Sequence, residues 1–399
     1  MQIAYIIDAV RTPIGRYGGK LSSVRPDDLL ALVIKALIKR NPAVDVNAIE
    51  DVIAGAANQA GEDNRDVARM SALLAGLPIT VGGNTVNRLC ASGLQAVMDC
   101  ARAIMCSEGE FYIAGGVESM TRAPFVMAKS EGAWSRKTEI YDSSIGWRFV
   151  NKKMVQMHHP YNMGETAENV ARQWNIGRLA QDEFALSSQQ KYFAALAAGK
   201  WNDEIVPVEI TENKEPAVVR QDEHPRQTSL DKLSGLKPAF MKDGTVTAGN
   251  SSGINDGAGA ILLASENAVQ KYGLQPMARI VSMAIAGVDP AIMGIGPVPA
   301  GQKALQRAGL TVNDLDLIEL NEAFASQSLA CIADLKLDIS KVNVNGGSIA
   351  IGHPLGASGV RISATLLHEM RRRKVKYGLA TMCVGVGQGA AIIYENLVR

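Results

Sequence analysis

The chain has little excess charge of either sign and few aromatic side chains. Its 399 residues include 41 lysines and arginines against 40 acidic residues, which gives a formal net charge of +1, and aromatics make up 5%. A balanced charge supplies no field that would recruit nucleic acid or an anionic membrane. We therefore expect no nucleic-acid partner and no membrane association.

Cysteine is also scarce. The five cysteines are odd in number and lie scattered without C-x-x-C spacing. That pattern argues against a disulfide framework or a zinc ribbon and favours a reducing compartment. No apolar run approaches the ~20 residues of a membrane span, and the first residues are typical of a strand rather than a signal peptide. We expect a cytoplasmic protein without a metal site.

Hydrophobic residues and glycine, in contrast, are abundant. Hydrophobic residues make up 47% of the chain and glycine occurs 38 times, so large cores can form and a disordered chain is excluded. Apolar runs such as 3–7 and 51–56 alternate with helical patterns such as 27–39 and 66–75. This alternation predicts an α/β fold with helices packed on a largely parallel sheet.

The sequence contains an internal repeat. Residues 90–93 read Cys-Ala-Ser-Gly and residues 356–359 read Gly-Ala-Ser-Gly. Strand-like segments around Ala114 and Ala380 are separated by the same number of residues as these two motifs. Two similar segments further upstream, around Ile53 and Ile318, are separated by nearly the same number. A constant offset predicts two copies of one α/β unit.

A middle region interrupts this repeat. It holds all four tryptophans and three of the five histidines, and a structureless loop of such length would be improbable inside a compact domain. We therefore predict a first half at 1–120, an inserted loop domain at 121–250 and a second half at 251–399.

Cys90 is the first candidate for chemistry. Apolar residues recur at helical spacing from Leu94 to Met105, so Cys90 is expected at a turn that leads into a helix. The unpaired N–H groups and the dipole of a helix N-terminus favour an anion and would lower the pKa of this thiol. The alternative is a small buried cysteine at a tight turn.

His353 lies in the glycine-rich stretch 343–363, three residues before the position equivalent to Cys90. Pseudo-twofold packing of the two units would bring the two loops together, and a cysteine beside a histidine is the usual arrangement of an activated thiol. A phosphate-cradling loop with a structural histidine is the alternative.

Two further candidates follow strands. Cys383 enters a turn with Gly385, whose backbone N–H could point at a developing oxyanion, and Asn321 ends a strand where polar residues often cap helices. A buried cysteine and a cap are the alternatives. Two cysteines and a histidine at element ends in duplicated units indicate acyl transfer through a thioester. One cysteine would carry the acyl group and the other would move protons at carbon.

These stretches resemble a known family. NRLCASG, NEAFA, NGGSIAIGHPLGASG and CVGVGQG are similar to the four signature blocks of the thiolases, and segments 163–171 and 244–258 resemble two further family segments. The match runs from Val10 to the C-terminus. The resemblance implies a five-layer αβαβα thiolase fold, made of two similar halves with an inserted loop domain, in a homodimer or homotetramer.

The resemblance also implies the reaction. A 3-oxoacyl-CoA and CoA would give acetyl-CoA and a shortened acyl-CoA, or the reverse Claisen condensation would run. The partners would be CoA and acyl-CoA thioesters. No metal or redox cofactor is implied, since coenzyme A is a substrate.

Catalytic roles follow from the resemblance residue by residue. Cys90 would be the acylated nucleophile, and His353 would take its proton and help hold the thioester oxygen. Cys383 would protonate or deprotonate the α-carbon of the acetyl unit. Asn321 would position a water that completes an oxyanion hole with His353, and the backbone N–H groups of Cys90 and Gly385 would form a second one.

The resemblance further implies a set of residues that contact CoA or substrate. They are Met163, Arg226, Ala248, Ser251, Ser252, Ala323 and Phe324.

The sequence signals for the substrate class disagree with one another. Asn162 stands where some biosynthetic acetoacetyl-CoA thiolases carry histidine. Segments 145–154 and 222–226 resemble catabolic thiolases of the 3-oxoadipyl-CoA type. Those catabolic proteins, however, tend to have proline at the position of Gly164. We expect catabolic thiolysis, in fatty acid or 3-oxoadipyl-CoA degradation, with a biosynthetic acetoacetyl-CoA thiolase as the alternative. Arg148 or Arg226 is expected to meet a distal carboxylate or a CoA phosphate, and Arg226 is favoured for CoA. A surface ion pair is the alternative for both.

Two other classes stay open. A ketosynthase would pair the cysteine with two histidines, whereas the third position here is Cys383. A non-catalytic acyl-CoA or lipid binder on the same fold would be expected to lack Cys90, His353 or Cys383, and all three are present.

Overall fold

The computed structural model describes residues 2–130, 132–212 and 214–398. Its strands, numbered in chain order, are β1 (Ala4–Arg11), β2 (Gly15–Arg16), β3 (Ile49–Gly55), β4 (Gly82–Val86), β5 (Phe111–Ser119), β6 (Phe125–Met127), β7 (Ile140–Asp142), β8 (Val208–Glu212), β9 (Glu215–Val219), β10 (Asn255–Ser265), β11 (Ala278–Gly287), β12 (Leu317–Leu320), β13 (Tyr377–Val384) and β14 (Gln388–Asn396).

The helices of the same residues are α1 (Pro26–Arg40), α2 (Val67–Leu74), α3 (Ser92–Met105), α4 (Lys152–Met157), α5 (Met163–Gln173), α6 (Arg178–Ala197), α7 (Leu230–Ser234), α8 (Glu266–Tyr272), α9 (Pro297–Ala308), α10 (Ala325–Leu335), α11 (Ser348–Ile351) and α12 (Leu355–Arg373). None of these helices is long and apolar enough to cross a membrane.

The strands of the first half, called the first sheet, lie in the order β4-β3-β5-β10-β1, and those of the second half, called the second sheet, lie in the order β11-β14-β13-β12. The join between β1 and β11 is short, at Tyr5–Arg279 and Ile6–Ala278. In each half a buried strand runs parallel to its neighbour, β3 to β5 and β12 to β13, and the next strand is antiparallel. The internal repeat is therefore present as two units with the same strand pattern. The expectation of a largely parallel sheet was wrong, because β1 and β11 also pair antiparallel with their neighbours.

The inserted region interrupts one antiparallel strand pair. In the second half β13 and β14 are joined by a tight turn, whereas the equivalent strands β5 and β10 are separated by residues 120–254. The strand Asn255–Ser265 therefore lies in the sheet of the first half, between β5 and β1. The division at 120 and 250 stays a prediction, and this pairing shows where the chain returns to the first sheet.

The elements stack in five layers. Helices α1 and α2 cover the outer face of the first sheet, α3 and α12 pack on each other between the sheets, and α9 with α10 covers the outer face of the second. Each interface has its own apolar core, and the largest lies around α3 and α12. This layering confirms the predicted five-layer fold, and it places the N-termini of α3 and α12 side by side at the centre of the molecule.

The inserted region packs against the second half. It contains the hairpins β6–β7 and β8–β9 and four helices, of which α5 and α6 contact α10 and α11. These contacts bring the inserted region over the loops that carry the candidate site residues.

Candidate active site

Cys90 lies in the short 3-10 turn Leu89–Ala91 that leads into α3. Leu89 is in the left-handed region, at φ 46°. Two hydrogen bonds hold this conformation, because Leu89 N donates to Asn87 Oδ1 at 2.8 Å and Ser92 Oγ donates to Leu89 O at 2.6 Å. A left-handed non-glycine residue costs energy and is often found where a reactive side chain must be aimed.

The pKa of Cys90 contradicts the expectation from the helix N-terminus. Burial raises the pKa of its thiol to about 11, although the backbone N–H groups of Gly385 and of Cys90 itself act in the lowering direction. The predicted lowering was wrong because desolvation of the thiolate outweighs the dipole and the hydrogen bonds. The resting thiol is therefore protonated, and it needs a base to become a nucleophile.

His353 supplies a base in the correct tautomer. Its Nδ1 lies 2.6 Å from Ser358 Oγ, and that hydroxyl donates to Pro354 O at 2.7 Å. Because the hydroxyl proton is used there, Nδ1 carries the ring proton and donates to Oγ, which leaves Nε2 with a lone pair. Burial, with a smaller effect of Arg361, lowers the pKa of His353 to about 3, so the ring is neutral near pH 7.

The loop that carries His353 is held by a residue of the first sheet. The backbone N of His353 donates to Asn255 Oδ1 at 2.9 Å, and Asn255 Nδ2 donates to Gly15 O at 2.9 Å. Gly352 has a φ of 112°, and a Cβ at this position would lie 2.6 Å from Asn255 Cγ. Asn255 therefore holds the histidine loop against the first sheet.

Asn321 orients its amide toward His353. Its Oδ1 accepts from Ser348 Oγ at 2.5 Å and from Arg361 Nη2 at 3.5 Å, and its Nδ2 lies 3.4 Å from His353 Nε2. With the oxygen occupied by two donors, the amide nitrogen is the side that faces the ring. Ser348 and Arg361 were not identified from the sequence, where nothing distinguishes them from packing residues.

Cys383 lies near the end of β13 and is buried. Burial, together with the charge that Cys90 would carry, raises the pKa of Cys383 well above its ordinary value. Its apolar neighbours come from the inserted region and the second half, and they are Met163, Ala167, Val246, Met293, Ala323 and Phe324. Three of the predicted substrate-contacting residues, Met163, Ala323 and Phe324, therefore surround this second thiol.

Gly385 belongs to the turn between β13 and β14. Val386 and Gly387 in this turn have φ values of 62° and 78°, and a Cβ on Gly387 would lie 2.2 Å from Val288 O. Glycine is therefore required at 387, and the resulting turn points the Gly385 N–H toward the sulfur of Cys90. The two candidate thiols and this N–H therefore lie close together.

The remaining predicted contact residues form a connected surface. Arg226 Nη2 donates to Ala248 O at 3.1 Å. Ser251 pairs with Phe324 in an antiparallel bridge, and Ser252 N donates to Ala323 O at 3.0 Å. Arg226 and Ala248 are exposed, so this set runs from the surface toward Cys383.

Glu118 is a site residue that the sequence did not reveal. Its buried carboxylate accepts from the backbone N–H groups of Ala57, Asn58 and Gly356, at 2.9, 3.1 and 2.8 Å. Burial raises its pKa to about 7. The only sequence signal was a carboxylate at the end of an apolar strand. Glu118 ties the loops of the two halves together beside Cys90.

These features define a class of protein. A cysteine at the start of one central helix, a neutral histidine at the start of its repeat partner and a second buried thiol suit acyl transfer through a thioester. Within the described ranges, no cluster of three His, Cys, Asp or Glu side chains could hold a metal ion.

Comparison with known proteins identifies the family. The family models of the thiolase N-terminal domain and the thiolase C-terminal domain match residues 4–267 and 274–396. The 3-oxoadipyl-CoA/3-oxo-5,6-dehydrosuberyl-CoA thiolase of Escherichia coli K12 is 55% identical over 100% of both chains. A beta-ketoadipyl-CoA thiolase of Pseudomonas aeruginosa is 56% identical over 98% of this chain and 99% of its own.

Solved structures agree with this result. The acetyl-CoA acetyltransferase of Bacillus anthracis superposes with a TM-score of 0.94 at 44% identity, over 100% of this chain and 99% of its own. Human mitochondrial 3-ketoacyl-CoA thiolase in complex with CoA gives 0.92 at 44% identity, over 99% and 98%. The chain belongs to the thiolase family. It is an acyltransferase that cleaves a 3-oxoacyl-CoA by thiolysis.

Proposed function

We propose that the chain cleaves 3-oxoadipyl-CoA or a close homologue in a catabolic direction, with Cys90 as the acyl carrier. The observation that carries this proposal is the tautomer of His353, whose Nε2 lone pair is available as a base in the site that holds Cys90 and Cys383. Two relatives named for 3-oxoadipyl-CoA or beta-ketoadipyl-CoA, at 55% and 56% identity, support the substrate. A biosynthetic acetoacetyl-CoA thiolase stays the alternative, since the superposed Bacillus anthracis protein is an acetyl-CoA acetyltransferase.

In the first half-reaction, His353 Nε2 takes the thiol proton of Cys90 as the sulfur attacks the C3 carbonyl of the substrate. The C3 oxygen becomes negative and is held by the backbone N–H groups of Cys90 and Gly385. Because the pKa of Cys90 is about 11 and that of His353 about 3, a stable ion pair is unfavourable beforehand. Proton transfer therefore accompanies attack, when the oxyanion hole compensates for it.

The C2–C3 bond then breaks and its electrons move into the enolate of acetyl-CoA. His353 and a water held by Asn321 stabilise the enolate oxygen, and Cys383 gives its proton to carbon. Acetyl-CoA leaves, and the shortened acyl group stays on Cys90. In the second half-reaction the thiol of CoA attacks this thioester and gives its proton to Cys383. The sulfur of Cys90 is the leaving group and takes back the proton that His353 holds, and the new acyl-CoA departs.

We infer that CoA lies along the surface formed by Arg226, Ala248, Ser251 and Ser252. An exposed arginine at the outer end suits a phosphate, and Met163, Ala323 and Phe324 at the inner end suit the apolar part of pantetheine. The overall cleavage is neither an oxidation nor a reduction, so it needs no redox cofactor. In this proposal N–H donors and one water, rather than a metal, hold the oxyanions. A cytoplasmic homodimer or homotetramer completes the proposal.

Cys90→Ala should reduce CoA-dependent cleavage of 3-oxoadipyl-CoA to below about 0.1% of the unaltered rate, because no thioester can form. Intact-mass spectrometry should show no acyl-enzyme. Cys106→Ala is the matched control, since Cys106 is exposed at the end of α3, and its activity should be unchanged. Substantial cleavage by the Cys90→Ala variant would refute the role of Cys90.

Cys383→Ser should separate the two thiols. The hydroxyl is a far weaker acid than the thiol, so carbanion protonation should become slow while acylation of Cys90 by a simple acyl-CoA stays detectable by mass spectrometry. An enzyme that is not acylated at all would contradict the division of roles between Cys90 and Cys383.

A further inference from the structure

A cavity of about 260 Å³ opens beside Cys90 and contains one cation in its wall. Most of the wall is apolar, and Arg148 is its single arginine or lysine among the described residues. Apolar side chains of this wall include Leu89, Met120, Ala123, Ile145, Trp147 and Leu355. Cys90 and Arg148 therefore line the same cavity, so one ligand can reach both residues.

The guanidinium of Arg148 has few partners in the protein. Its Nη1 donates to Ser143 O at 3.4 Å, and in the part of the chain that the structure describes no carboxylate lies within 4.0 Å of it. Arginine has five N–H donors in a fork that matches a carboxylate. Arg148 is half-buried, so donors left without a partner inside the cavity cost free energy until a ligand supplies acceptors.

Glu118, the other charged residue of the wall, does not serve as that partner. Its two oxygens already accept three backbone hydrogen bonds, from Ala57, Asn58 and Gly356. Among the described residues, therefore, no carboxylate serves as the acceptor for Arg148, and a ligand in the cavity can supply one.

The loop around Arg148 is held in place. Gly146 and Phe149 have φ values of 79° and 52°. Trp147 Nε1 donates to Tyr161 O at 2.9 Å, and the Phe149 ring packs edge-on against Tyr141 with centroids 5.1 Å apart. A guanidinium on a pinned loop loses less conformational freedom when it binds a ligand.

We propose, on the basis of the proposed thiolase function, that Arg148 binds the distal carboxylate of a dicarboxylic 3-oxoacyl-CoA whose reacting carbonyl lies at Cys90. Arg148 is thereby a specificity-determining residue. A chain that ends in a methyl group leaves the guanidinium desolvated without an acceptor, so the same residue selects against monocarboxylic substrates of similar length.

The test compares kcat/KM for 3-oxoadipyl-CoA and for 3-oxohexanoyl-CoA, which has the same length without the carboxylate, in the unaltered chain and in Arg148→Met. The ratio of the two values should fall at least tenfold in the variant, because a charge-assisted contact contributes about 1.5–3 kcal/mol. Lys153→Met, at an exposed position on α4, is the control and should keep the ratio of the unaltered chain.

A smaller fall of the ratio would overturn the assignment of Arg148, whatever the absolute activities. If Arg148→Met does not fold, Arg148→Lys is used with the same criterion, because a lysine cannot reproduce the bidentate fork. Failure of the proposed thiolase function is distinguishable, since the unaltered chain would then cleave neither 3-oxoadipyl-CoA, 3-oxohexanoyl-CoA nor acetoacetyl-CoA.

Discussion

At Cys90, burial and hydrogen bonding act on the thiol in opposite directions, and burial dominates. The pKa is raised to about 11, so at pH 7 the thiolate fraction is very small. The neutral His353 nearby does not change this, since its own pKa is lowered to about 3. The resting site stores no reactive thiolate, and its reactivity depends on the substrate.

This charge state predicts the pH dependence of alkylation. Below a pKa of about 11, the thiolate fraction of Cys90 grows about tenfold for each pH unit, and iodoacetamide reacts with the thiolate. We expect the alkylation rate of Cys90, followed by peptide mass mapping, to rise continuously from pH 6 to 9. Exposed Cys106 in the same digest gives a reference and should react faster at pH 7. A plateau for Cys90 below pH 8 would instead indicate a preformed thiolate–imidazolium pair.

The sequence predicted which residues could react but not their protonation states. Cys90, His353 and Cys383 were proposed because they follow strand or glycine-rich patterns that are visible in the sequence. The direction of the Cys90 pKa was wrong because burial depends on the neighbouring half of the molecule. Ser348 and Arg361 were missed because their partner Asn321 is distant in the sequence and is brought to them by the fold.

At the scale of elements, the site depends on how closely α3 and α12 approach. A Cβ on Gly359 would lie 2.0 Å from Leu94 N, and one on Gly93 would lie 2.6 Å from Gly356 O. Side chains at these positions would push the two helices apart. Since Cys90 precedes one helix and His353 the other, their spacing would change with it.

Gly359→Ala is therefore expected to destabilise the protein by about 1–3 kcal/mol in urea unfolding, because the clash is with backbone, and to lower kcat as well. Gly301→Ala on α9 is the matched control. Its Cβ would meet nothing nearer than Leu335 Cδ1 at 3.5 Å, and alanine favours a helix interior by roughly 0.5–1 kcal/mol. Equal stability of the two variants would contradict close helix packing as the reason for glycine at 359.

Element positions were mostly accessible from the sequence. The predicted helix at 27–39 corresponds to Pro26–Arg40 and the predicted strand at 51–56 to Ile49–Gly55, since hydrophobic periodicity reports these elements directly. The position of β10 was not accessible. Its eleven residues are buried throughout, and the apolar run at its centre carries no sign of which sheet the strand joins.

At the scale of the whole molecule, the inserted region between β5 and β10 must be held against the rest of the protein. Arg11 at the end of β1 makes this attachment. Its Nε donates to Glu204 Oε1 at 2.5 Å, and its Nη1 and Nη2 donate to Asp222 at 2.6 and 3.1 Å. All three side chains are essentially inaccessible to solvent, so the inserted region is joined to the first sheet by paired charges inside the protein.

Arg11→Met should destabilise the protein by about 3–5 kcal/mol in urea unfolding, because it leaves Glu204 and Asp222 buried without their cation. Limited proteolysis should also cut the inserted region faster. Arg102→Met is the matched control. Its pair with Asp99 leaves the two side chains 46% and 30% exposed, and such surface pairs contribute about 0–1 kcal/mol. If Arg11→Met and Arg102→Met unfolded at the same urea concentration, the buried charges would not be what anchors the insertion, and apolar packing of α5 and α6 on the second half would have to suffice.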